Sequence, residues 1–365
     1  MRVPRLKSSV TLAAVVVCLF ATACDSRVKT AHEALAEAIE RTEREGTSSS
    51  FVRALELASK AGDSHAALDL VRQAEAKLEN RGDRLNGLMV RGLWRAGRLR
   101  DAERIAAEIE DRTKDVDALA ALLDVHFARL GVERSAALAE RLEKRDGLGE
   151  RGILGILRAR MAANKIAGLA DLLERASTRM KTGSAGTTRT LRAIADFLRS
   201  VGDEPLNTIS DYGSAAMPLN SAIRLPGCVV TINGEGPFRM ILDSGAGNGV
   251  YLSASTAERL DLDAISRSQA IGFGGATDVG YTLLDSLRIG GIACRRVFAQ
   301  IGAQTTPILA ASDGIIGTGV FAQGRVTFDF EHAMLRVSRS SAEPAAGVEL
   351  PILRVSTGSP LTYIR

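Results

Sequence analysis

Phe238-Arg239-Met240-Ile241-Leu242-Asp243-Ser244-Gly245-Ala246 holds the chain's strongest local pattern. An apolar, strand-like run delivers an acid into a tight hydroxyl–glycine turn. About seventy residues downstream, Asp313-Gly314-Ile315-Ile316-Gly317 answers it with two aliphatics that end in glycine. Asp-Ser-Gly alone is an unspecific tripeptide, and the specificity lies in the surrounding frame. Val229-Val230-Thr231-Ile232 is rich in β-branched residues, and Asn233-Gly234 is a strong hairpin signal. Phe238 to Leu242 returns as the second strand. Ser253 is placed to cap a short helix running to Leu260. Ile271-Gly272-Phe273-Gly274-Gly275 reads as a glycine-rich hairpin tip, followed by strand-like runs at Leu283 to Ile289 and Val297 to Ile301. Val326 to Phe330 and Met334 to Val337 read as a closing hairpin.

Taken together, these segments resemble the active-site half of the retropepsin-like aspartic protease family, over roughly residues 215 to 342. The resemblance implies that Asp243 is catalytic and that Ser244, Gly245 and Ala246 shape its turn. Gly272, Phe273, Gly274 and Gly275 would form the flap over an extended peptide, and Ile315, Ile316 and Gly317 the structural segment beneath the site. Chemistry of this kind needs two carboxylates close enough to share one proton, since like charges about 3 Å apart cannot both ionise. The chain holds a single Asp-Ser/Thr-Gly, and Asp313-Gly314 lacks the intervening hydroxyl residue. The second acid is therefore expected from Asp243 of another copy across a two-fold axis, as a homodimer. The rival is a protease-like module that binds peptide without cleaving it.

Competing site chemistries have less support. The run Gly245-Ala246-Gly247-Asn248-Gly249 lacks phosphate-loop spacing. His32, His65, His126 and His332 are scattered and no paired-cysteine motif occurs, so neither a metal nor any other cofactor is expected. No stripe of basic and aromatic residues suggests nucleic acid.

The N-terminus reads as an export signal over residues 1–23. Arg2, Arg5 and Lys7 precede an apolar run from Val10 to Phe20, and Ala21-Thr22-Ala23 matches a small-residue cleavage site. Cys24 follows at once, and the segment is similar to a bacterial lipoprotein signal. That similarity implies lipidation at Cys24 and periplasmic tethering to a membrane, with plain secretion as the alternative. Removing residues 1–23 takes three positive charges from a formal net charge of +4 and leaves +1, so the basic character belongs largely to the leader. Cys228 and Cys294 remain in the folded part, either bridged or as two buried thiols.

From about 28 to 200 the chain is dominated by Ala, Leu, Glu and Arg. Turn signals recur at Gly62, Gly97, Gly131 and Asn164, at spacings of 35, 34 and 33 residues, each with a small or apolar helix opening five residues on. The period, and the segment Leu93 to Ala102, resemble tetratricopeptide repeats, which implies a concave surface for peptide or protein partners. The expected organisation is an N-terminal linker or helix over 24–50 and an all-α helical-hairpin solenoid over 51–201. A linker over 202–216 leads to the all-β retropepsin-like domain over 217–342. Residues 343–365 form a tail in which Leu350-Pro351-Ile352 and Pro360 to Ile364 resemble the opening of a second protease-like lobe. A truncated two-lobed protein, a dimer-forming or edge-covering strand, and a disordered tail are all open readings of that segment.

Overall fold

The computed structural model describes residues 30–128, 131–179, 185–219, 225–244, 246–247, 249–272, 275–302, 312–339, 352–354 and 360–362. The leader, with Cys24, and most of the tail lie outside these residues, as do Gly245, Phe273 and Gly274. The chain divides into two compact units, Met1–Val125 and His126–Arg365.

The first unit is helical: α1 (30–45), α2 (Ser48–Ala61), α3 (Ser64–Lys77), α4 (Asp83–Arg95), α5 (Leu99–Ile109) and the greater part of α6 (Val116–Ala128). Local sequence sets the helix ends. Gly62 and Gly97 adopt φ of 72° and 74°, the left-handed conformation that closes a helix and that glycine adopts without steric cost. Asp63 then opens α3 by accepting the Ala66 N–H at 2.9 Å. The openings expected from the repeat are core residues here, with Ala67 and Ala102 buried. Gly87 lets α4 cross α6 closely, because a Cβ there would fall 2.5 Å from the Ala118 Cα.

The second unit opens with α7 (Val132–Glu143), α8 (Glu150–Ala162), α9 (Leu169–Arg179) and α10 (Ala185–Val201). The strands β1 (Thr208–Asp211), β2 (Gly213–Ala216), β3 (Gly227–Ile232), β4 (Glu235–Asp243) and β5 (Val250–Ser253) follow. Next come the short helix α11 (Ala254–Arg259) and the strands β6 (Ser266–Gly272), β7 (Gly275–Ile289), β8 (Ile292–Gly302) and β9 (Gly314–Gly317). A 3-10 turn over Thr318–Phe321 leads to the hairpin β10 (Gly324–Asp329) and β11 (Met334–Arg339), and β12 (Ile352–Arg354) pairs with β13 (Pro360–Thr362).

Strand pairing closes a barrel in the order β7–β3–β4–β9–β5–β8 and back to β7, with β6 and β1 attached at its margins. Alternation fills the inside: Phe238, Met240 and Leu242 from β4, Val250 and Leu252 from β5, and Ile316 from β9 are buried in one cluster. Each such side chain contributes about 1.5–3 kcal/mol relative to exposure.

Two features differ from the sequence expectation. The stretch 202–216, expected as a linker, contains β1 and β2. These pair with β8 and β11, respectively, and bury Ile209 and Ala215. Helices α7–α10 also share a compact unit with the barrel instead of standing apart from it. The contacts explain why. Asn164 exchanges hydrogen bonds with the backbone of Leu206 at 2.5 and 2.7 Å, Arg296 Nη2 donates to the Val201 carbonyl at 2.6 Å, and Ser266 Oγ donates to the Ala193 carbonyl at 2.6 Å.

Candidate active site

Asp243 is the last residue of β4, where the strand emerges from the barrel, and its side chain is exposed. Alternation puts it on the outer face. Leu242 pairs with Ile316 and both point into the core, whereas Asp243 pairs with Gly317. The pairing is parallel, Met240 to Asp243 against Gly314 to Gly317. The two segments that stood out in the sequence are therefore neighbours over the four residues that end in Asp243 and Gly317.

Behind the acid the chain reverses in a glycine turn. The Ala246 N–H donates to the Asp243 carbonyl at 3.2 Å. The turn is then fastened to the Gly317 segment, because the N–H groups of Gly317 and Gly319 donate to the carbonyls of Gly249 and Gly247, both at 3.0 Å. The approach tolerates no side chain: a Cβ at Gly317 would lie 2.3 Å from the Gly247 carbonyl oxygen. On the other side, a Cβ at Gly249 would lie 2.8 Å from the Phe298 ring. These hydrogen bonds satisfy backbone groups that the tight turn would otherwise leave unpaired.

Phe298 belongs to an aromatic group that α10 completes. Its ring lies 5.1 Å from Phe197 and 5.7 Å from Tyr281, and Phe197 lies 6.4 Å from Tyr281, at centroid distances that favour edge-to-face contact. The Phe298 N–H is held by Asn207 Oδ1 at 2.9 Å. Thus the last long helix before the barrel braces the strand that lies behind the acidic turn.

Tyr251, Ile315 and Gln300 share the outer face with Asp243 through the register of β5, β9 and β8. Burial pushes the Tyr251 hydroxyl above its ordinary pKa. Tyr281 and the Asp243 carboxylate add in the same direction, and a hydrogen bond with Gln300 opposes them. A neutral phenol thus stands within electrostatic reach of the acid. Sequence reasoning missed this group because Tyr251 read simply as part of an apolar strand; counting alternate residues from Asp243 through each paired strand would have found it.

Asp313 has a different place and role. Its Oδ2 accepts the Arg239 N–H at 2.6 Å, its Oδ1 faces Arg259 Nη1 at 3.2 Å, and its carbonyl accepts from the Ser253 N–H and the Thr256 hydroxyl. It precedes Gly317 by four residues along an extended segment, which separates it from the Asp243 end by about 13 Å. Asp313 is an anchor between strands, not a companion acid.

The hairpin expected as a flap is present in β6 and β7, which pair from Ser266↔Tyr281 to Gly272↔Gly275. Ser253 caps α11 as expected, accepting the Thr256 N–H at 3.1 Å. Cys228 and Cys294 are free, buried thiols, and burial pushes both up to about 12. Among the described residues, no group of three or more His, Cys, Asp or Glu could hold a metal ion, and no helix is long and apolar enough to cross a membrane.

None of the curated proteins matches the chain significantly. A solved structure described as a retropepsin-like aspartic protease from Rickettsia conorii is similar over 34% of this chain and 97% of its own, at 15% identity and a TM-score of 0.27. Residues 229–320 match the family model described as aspartyl protease. That span runs from β3 through the 3-10 turn and includes both Asp243 and the Ile315-Ile316-Gly317 segment. The chain is a helical region followed by an all-β barrel domain, and within that domain residues 229–320 are similar to the aspartyl protease family model.

Proposed function

We propose that the protein is an aspartic endopeptidase that cleaves extended polypeptide segments as a homodimer. The observation that carries this reading is the position of Asp243, at the mouth of the barrel and fastened through its turn to Gly317, inside the segment that matches the aspartyl protease family. Asp243 of one copy and Asp243 of the partner copy would share one proton. The ionised member takes a proton from a water as it attacks the scissile carbonyl. The protonated member donates to the carbonyl oxygen, and the pair titrates as one unit. The β6–β7 hairpin would lie along the peptide, pairing with its backbone and excluding bulk water. On the same reading, the leader exports the chain to the periplasm, lipidated Cys24 tethers it to a membrane, and the tetratricopeptide-like helices bind the substrate or a partner protein.

The test is the concentration dependence of cleavage. Specific activity on a fluorogenic, unfolded protein substrate should rise with the dimer fraction measured by sedimentation equilibrium, and a pepstatin-type inhibitor should bind only the dimer. Full activity from a species shown to be monomeric would overturn the shared-acid mechanism. A confirmed dimer that neither cleaves nor binds the inhibitor would favour a peptide-binding scaffold.

A further inference from the structure

An open cleft of about 770 Å³ lies between α10 and the start of β6. Three arginines line it, Arg189 and Arg192 from the helix and Arg267 from the strand. The one carboxylate in the lining, Asp196, is engaged by Arg199 at 3.4 Å. Arg192 Nε donates to Ser177 Oγ at 3.3 Å. Among the described residues, the side chains of Arg189 and Arg267 have neither an ion pair nor a hydrogen bond. The two walls are held at a fixed spacing, because Ser266 Oγ donates to the Ala193 carbonyl at 2.6 Å and Ser268 Oγ to Thr190 Oγ1 at 3.0 Å. Ile265, 41% exposed, adds an apolar surface to the rim.

We propose that this cleft is a docking site for an acidic stretch of the polypeptide substrate. Guanidinium groups bind carboxylates through paired, directional hydrogen bonds, and Arg189 and Arg267 bring two of them to the cleft from its two walls. The volume far exceeds one phosphate group and suits a short segment with two or three Asp or Glu side chains. Its position relates it to the hairpin, because Arg267 is the second residue of β6 and lies five residues, or about 17 Å, along the strand from Gly272 at the hairpin end. This substrate preference rests on the peptidase reading given above.

The test uses the full chain and a fluorescein-labelled hexaglutamate peptide, followed by anisotropy, with hexaglutamine as control. Binding of hexaglutamate that weakens with salt, and about tenfold with Arg189→Gln/Arg267→Gln, supports the site. Equal binding by the variant, no binding by the wild type, or capture of phosphatidylglycerol vesicles without hexaglutamate binding would overturn it. In parallel, a cleavable peptide with and without an acidic tail is compared in both proteins. Loss of the tail preference with retained cleavage of the tail-less peptide is the expected split. Asp243→Asn should bind hexaglutamate as the wild type does, so failure of the docking site and failure of the catalytic reading give different results.

Discussion

Asp243 and Gly317 stand directly opposite each other in a parallel pair, each the last residue of its strand. The Gly317 N–H reaches past the acid to the Gly249 carbonyl at 3.0 Å. The acid is therefore positioned by a backbone clamp built from glycines, which holds without any side-chain rotamer to order. That relationship makes the clamp testable apart from the carboxylate.

Gly317→Ala puts a methyl group 2.3 Å from the Gly247 carbonyl oxygen in a well-packed corner. Overpacking of this kind costs about 1–3 kcal/mol, and relief requires the acidic turn to move. Urea unfolding should show that loss, and kcat should fall by more than the folded fraction explains. Wild-type kcat in the folded variant would show that the clamp does not position Asp243.

Phe298 connects the same turn to α10. Phe298→Ala leaves a void between Gly249 and Phe197 and is expected to cost about 3 kcal/mol. Phe298→Leu keeps most of the volume and should cost less, yet still lower kcat through a looser turn. Comparison of kcat with KM in the leucine variant checks this, with the change expected in kcat.

Asp313→Ala removes the acceptor for the Arg239 N–H and the partner of Arg259. The bond is exposed, so water can satisfy the freed N–H and the cost is about 0.5–1.5 kcal/mol. Because Asp313 sits at the far end of β9, cleavage per folded molecule should be unchanged, measured by activity normalised to the folded fraction from circular dichroism.

The two buried thiols set an alkaline limit. Unfolded, Cys228 and Cys294 ionise near their ordinary value of 9.0, and folded they hold their protons up to about 12. The folded state therefore binds more protons than the unfolded state between those values. The stability present below pH 9 is lost as the pH rises towards 12, at up to about 1.4 kcal/mol per pH unit for each thiol. Urea unfolding at pH 8 and pH 10.5 should show the drop, and Cys228→Ala/Cys294→Ala should flatten it.

Much of the site was legible because its signals are local. Asn233-Gly234 forms its hairpin turn with Asn233 at a φ of 53°, Ser253 caps its helix, and the inward alternation of Phe238, Met240 and Leu242 puts Asp243 on the opposite face of the strand. Ile315-Ile316-Gly317 could be recognised by its own pattern, although its partner lies more than seventy residues earlier. The strands β1 and β2 were not legible. Each has only four residues amid Gly, Pro and Ser, and their partners are β8 and β11, far downstream, so no local periodicity separates them from a loop. The docking of α10 was hidden for a related reason. Phe197 reads as an ordinary core residue of a helix, and only the fold brings Tyr281 and Phe298 to meet it.

The most direct test is Asp243→Asn in the full chain, assayed on a fluorogenic protein substrate with unfolding and sedimentation measured alongside. Cleavage should disappear while the unfolding midpoint and the dimer fraction stay at their wild-type values. Undiminished cleavage by the folded variant would contradict the catalytic role of Asp243.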